Sequence, residues 1–163
     1  MIPAIDTTTP IGLILALLPE TVLTLATLGV VLLISARHAG PADSRRAGIM
    51  TLVSLGLTAG ALAWLASRSP EEPGLGSMVA LDSFRFLGSA LILLVSFGAV
   101  LSSLGYLERE RLVAPEYYVL VLLAVIGMLF MVNAHDLIVL FLGLETMSVA
   151  VYVLAGFNRG NAF

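Results

Sequence analysis

Long apolar runs broken by short polar clusters dominate this chain, and their lengths are those of helices that cross a bilayer. A spanning helix needs about 20 mostly apolar residues to cover roughly 30 Å of hydrocarbon. Five segments meet that length: 19–36, 47–67, 83–107, 117–132 and 136–157. The pattern predicts an all-α, polytopic membrane helix bundle forming one membrane domain. A shorter amphipathic piece, Ile11 to Leu17, precedes the first span. Pro19 suits a first helical turn and disfavours helical geometry at Leu18, so a short interfacial helix followed by the span is expected. Asp82 and Asp136 stand where they can cap the third and fifth spans, and Pro115 with Glu116 suits the first turn of the fourth. The turn Asn133–Ala134–His135 leaves room only for a tight antiparallel pair of spans four and five.

Composition agrees with this setting. Of the 163 residues, 59% are hydrophobic and 12% charged, and the mean hydropathy is +1.04. So few polar side chains do not coat a water-soluble globule. Eleven acids against eight bases give a net charge of -3, which leaves no basic surface for nucleic acid. Cysteine is absent, which excludes disulfides and thiolate chemistry, and the two histidines, His38 and His135, match no metal-binding spacing. All eight bases are arginine, so the chain holds no lysine that could lose and regain a proton within the membrane.

Arginine also sets the expected orientation, because positive residues are retained on the cytoplasmic side. Arg37, Arg45, Arg46, Arg109, Arg111 and Arg159 fall on one side, and Arg68 and Arg85 on the other. The N-terminus is therefore expected outside and the end of the fifth span in the cytoplasm. MIPAIDTTTP lacks the basic start of a signal peptide, so the first span is expected to serve as its own insertion signal.

One acid does not fit the pattern of loops and helix ends. Glu145 lies nine positions after Asp136, roughly 14 Å into the fifth span at 1.5 Å per residue. A deep ionisable group costs on the order of 2.5–3.5 kcal/mol on insertion scales, and such groups face a bundle interior or an internal water path. Phe141, Leu142, Ser148, Tyr152 and Gly156 share its side of a helix at steps of three and four. Ser148 and Tyr152 could hold water or bond the carboxylate, giving a partial proton path toward the cytoplasm. Low dielectric penalises the charge and a nearby cation restores it, so a carboxyl here can take up and release a proton. The competing reading is structural: a neutral acid bonding across helices, with Ser148 and Tyr152 as packing residues. Gly56 and Gly60 form a GxxxG spacing in the second span, for which close packing within the chain is expected ahead of a dimer face.

The run EYYVLVLLAVIGMLFMVNAHDLIVLFLGLETMSVAVYVLAGFNR resembles the fourth and fifth transmembrane helices of subunit N (subunit 2) of proton-translocating NADH-quinone oxidoreductase, respiratory complex I. The features that carry it are the EYY opening, GM late in span four, FLGLE, and YVLAGF after it. Weaker similarity at Leu17–Glu20 (LLPE) and Asp82–Phe86 (DSFRF) extends it over most of the chain. The resemblance implies that Glu145 is the family's fifth-helix glutamate, which works with a lysine on a later, broken helix. It implies a membrane subunit of a translocase, taking part in proton translocation coupled to electron transfer from NADH to quinone. No nicotinamide, flavin or iron-sulfur motif occurs in the chain. NADH, FMN, iron-sulfur clusters and quinone are thus expected in partner subunits and no cofactor here. The other membrane subunits, neighbouring antiporter-like ones included, are the expected partners, in the bacterial inner membrane. Subunits of this family continue through about nine more helices, so the chain reads as the N-terminal part of a longer subunit or a truncated form. The alternative function is a cation/proton antiporter subunit or a small proton-coupled transporter, in which Glu145 of a dimer alternately binds proton and substrate.

Overall fold

The computed structural model describes residues 10–36, 41–68, 82–109 and 115–157. They form six helices: α1 Pro10–Ala16, α2 Leu18–Ser35, α3 Pro41–Ala66, α4 Ser83–Arg109, α5 Pro115–Asn133 and α6 Leu137–Gly156. Helices α2 to α6 have the length and apolarity to cross a membrane. No strand occurs among the described residues.

Three helix starts have a local cause. Leu17 leaves helical geometry at ψ 18°, and Pro19 enters the first turn of α2, so α1 and α2 are separate helices. The Asp82 carboxylate accepts from Arg85 N at 2.9 Å at the start of α4. Asp136, extended at φ -116° and ψ 142°, accepts from Ile138 N at 3.1 Å and caps α6. The boundaries expected for α2, α4, α5 and α6 hold to within two residues, whereas α3 starts at Pro41, six residues before Ala47. Its polar first turns carry an exposed Asp43–Arg46 pair at 3.2 Å, so helical structure extends past the apolar run.

On the inner side of α4 small residues alternate with large ones, and its outer side is large and apolar. On α4, Ser89, Ser96 and Ser103 recur every seven residues on the buried side, interleaved with Leu93, Val100 and Leu107. Phe84, Leu87, Leu91 and Leu94 point outward, each more than 60% exposed. A water-soluble fold does not expose such a surface, whereas lipid accepts it and small inner residues let helices approach. Buried hydroxyls bond their own helix: Thr27 to Leu23 O at 2.7 Å, Thr51 to Ala47 O at 2.9 Å and Thr58 to Ser54 O at 2.8 Å.

Helix α5 is central, touching α2, α3, α4 and α6. Its closest neighbour is α6. A Cβ on Gly127 would lie 2.6 Å from Met147 N and 2.7 Å from Gly143 O, and a Cβ on Gly143 would lie 2.8 Å from Gly127 O. The two backbones meet at paired glycines, and no other residue type fits there. Gly56 and Gly60 do not play the packing role expected of them: nothing approaches within 4 Å of a Cβ at either position. Both glycines are on the exposed side of α3, while Thr51, Leu55, Thr58 and Leu62 take the buried side.

Candidate functional site

Helix α6 uses one face for α5 and leaves the other open. Gly143 and Ala150 are buried, with Met147 half-buried between them, one helical face directed at α5. Glu145 is two residues from Gly143, a turn of about 200° around the helix axis, which puts it on the opposite side. It is exposed, as are Phe141 at 57%, Val149 at 57% and Tyr152 at 75%. Ser148 is half-buried at the edge of the same face. Glu145, Ser148 and Tyr152 thus share a side of α6, but no hydrogen bond joins them to one another among the described residues. Thr146, the neighbouring hydroxyl, donates to Leu142 O at 2.8 Å.

Glu145 is the ninth of the 20 residues of α6. It lies about 12 Å along the axis from Leu137, close to the middle of the helix. A carboxyl at mid-span on an unpacked face is an acid without a partner within the described bundle. His135 is exposed in the α5–α6 turn. Among the described residues no group of three or more His, Asp or Glu is placed to hold a metal ion.

The second polar centre was not visible in the sequence. Glu20, Arg85 and Asn133 are 1%, 0% and 0% exposed and meet where α2 and α4 begin and α5 ends. Arg85 Nη2 donates to the Ala16 carbonyl at 2.6 Å and reaches the Glu20 carboxylate oxygens at 3.4 and 3.5 Å. Asn133 Nδ2 donates to Glu20 Oε1. The bond to Ala16 satisfies a carbonyl that the end of α1 leaves without a helical partner, and pins α1 across the bundle. By position Glu20 is a first-turn acid and Arg85 a first-turn base, which reads as solvated helix ends. The available signal was that both belong to the same end of an antiparallel bundle, where an arginine inside apolar packing requires a counter-charge.

These features define the class: a polytopic α-helical membrane protein with a buried ion pair at one end and an unpaired carboxyl at mid-span. No protein-family profile matches the chain. Individual proteins do. It is 36% identical over 149 residues to NADH-quinone oxidoreductase subunit N of Erythrobacter litoralis, covering 89% of this chain and 30% of that protein. To subunit N of Paramagnetospirillum magneticum it is 36% identical over 146 residues, covering 89% and 29%. To that of Maricaulis maris it is 45% identical over 103 residues, covering 63% and 22%. The chain is therefore a homologue of part of NADH-quinone oxidoreductase subunit N, and spans about 30% of the length of the relatives it matches over most of its own.

Proposed function

We propose that the chain works as the corresponding piece of a complex I membrane subunit, taking part in proton translocation coupled to electron transfer from NADH to quinone. Redox chemistry, with NADH, FMN, iron-sulfur clusters and quinone, belongs to partner subunits in this reading. The chain lies in the bacterial inner membrane with the start of α2 outside, an orientation supported by the arginine distribution. Its partners there are the other membrane subunits of the complex.

One observation carries the reading: Glu145 is at mid-helix on the side of α6 turned away from the bundle. A carboxyl at that depth facing lipid is costly, whereas one facing other helices or an internal water path can be functional. Only 11% of α6 is buried within the described bundle, against 28% to 44% for the other spans. That supports a location of α6 where further helices of the same assembly cover it. Glu145 then takes a proton from, and returns it to, groups on those helices, and Ser148 and Tyr152 extend the polar side of α6 toward its C-terminal end. No residue of this chain supplies the lysine that the resemblance implies as partner.

Glu145→Gln keeps shape and hydrogen bonding but removes the exchangeable proton. In vesicles containing the assembled complex it should lower the number of protons translocated per quinone reduced. An unchanged ratio and rate would refute the proposal. Cation-for-proton exchange by this chain alone, dependent on Glu145, would favour the antiporter reading instead.

A further inference from the structure

We propose that Glu20, Arg85 and Asn133 form a second proton-exchanging site, separate from Glu145, at the end of the bundle where α2 and α4 begin. The observation behind it is the way the arginine is held. Its short bond, 2.6 Å, goes to the Ala16 carbonyl, and its contacts with Glu20 are long, 3.4 and 3.5 Å. An arginine stays protonated in proteins, so buried Arg85 is stabilised by a nearby negative charge, which the Glu20 carboxylate supplies when ionised. The Ala16 carbonyl holds the guanidinium in place independently of the charge on Glu20. Glu20 can therefore accept a proton without losing the position of its counter-cation.

Asn133 serves both states of the acid. Its Nδ2 donates to the Glu20 carboxylate. Its Oδ1 is buried and has no hydrogen-bond partner among the described residues, and the same holds for Ser89 Oγ, one turn along α4 from Arg85. A carboxylate needs donors and a carboxylic acid needs an acceptor, and rotation of the Asn133 amide exchanges one for the other. A site built only as a static ion pair needs no spare buried acceptor. In the step itself the carboxylate takes one proton to become the acid, then releases it to water at the near end of the bundle, and no bond between heavy atoms changes.

Among the described residues the groups near Glu20 are few. Helix α4 brings Arg85 and the capping Asp82, α5 brings Asn133, and α1 brings the Ala16 carbonyl. Helix α3 places buried Leu65 in a cluster with Ala16, with Arg68 beyond it exposed over Trp64, and the α5–α6 turn that follows Asn133 carries exposed His135 and half-buried Asp136. Glu20 is the one fully buried acid among the described residues.

The test uses the assembled complex in vesicles and two variants. In the double variant Glu20→Gln with Arg85→Gln, the pair is neutralised together, so no buried charge is left alone. In Glu20→Asp the pair is kept and the carboxyl is drawn back by one methylene. Protons translocated per quinone reduced are measured across a pH series, with Glu145→Gln run beside them. The proposal expects a lower ratio in the double variant, with quinone reduction retained, and a displaced pH dependence of the ratio in Glu20→Asp. Wild-type ratios at every pH in both variants would overturn it. If the double variant does not assemble, Glu20→Asp decides alone, and an unchanged pH profile overturns the proposal. A loss confined to Glu145→Gln leaves only the first site standing, and a loss confined to the Glu20 variants leaves only the second.

Discussion

Gly127→Ala adds one methyl group at the place where α5 and α6 touch. A Cβ there would meet two backbone atoms, Met147 N at 2.6 Å and Gly143 O at 2.7 Å, neither of which can rotate away. To restore an ordinary contact of 3.4 Å the helices have to separate by about 0.8 Å, and overpacking of this kind costs typically about 1–3 kcal/mol. Working against this, alanine gains up to about 1 kcal/mol over glycine as a helix former. Gly56→Ala isolates that gain, because nothing lies within 4 Å of a Cβ at Gly56. The difference in unfolding free energy between the two variants should therefore be about 1–3 kcal/mol, with Gly127→Ala the weaker. Titration of each variant with a denaturing detergent measures it. Equal stability of Gly127→Ala and Gly56→Ala would refute the claim that backbone contact sets the α5–α6 spacing, and with it the claim that this hairpin fixes the position of Glu145.

Three further outcomes follow from named contacts. Glu20→Gln mimics the protonated acid and keeps Arg85 bonded to the Ala16 carbonyl, so it should cost less than the about 3–5 kcal/mol typical of breaking a buried pair, while the double neutral variant should recover the remainder; detergent unfolding of the two decides. Asp136→Ala removes the side-chain cap of α6 and should cost about 1 kcal/mol by the same measurement. Tyr152→Phe removes a hydroxyl on the Glu145 face that is 75% exposed within the bundle, so it should leave stability unchanged and slow proton transfer in the assembled complex.

The helices were legible because hydrophobic length is a strong signal and because Asp82, Asp136 and Pro19 punctuate the chain where the spans begin. The start of α3 was not, since PADSRR is polar and reads as loop until an Asp43–Arg46 pair one turn apart shows it to be helical. Spacing singled out Gly56 and Gly60, but a GxxxG pattern does not say which side of a helix meets a neighbour; Gly127 and Gly143, on different helices, form the actual contact. The Glu20–Arg85 pair joins residues 65 positions apart, and nothing local to either one announces the other. Glu145 stood out because it is a single acid in a long apolar run, and its side of α6 followed from helical periodicity.

The account rests on a carboxyl at mid-membrane that changes its protonation state during turnover. Redox-triggered infrared difference spectra of the assembled complex, wild type against Glu145→Gln, measure this directly. A protonated-carboxyl band should rise and fall with quinone reduction in the wild type and be missing in the variant. Identical carboxyl bands in the two spectra, with normal turnover in both, would contradict it.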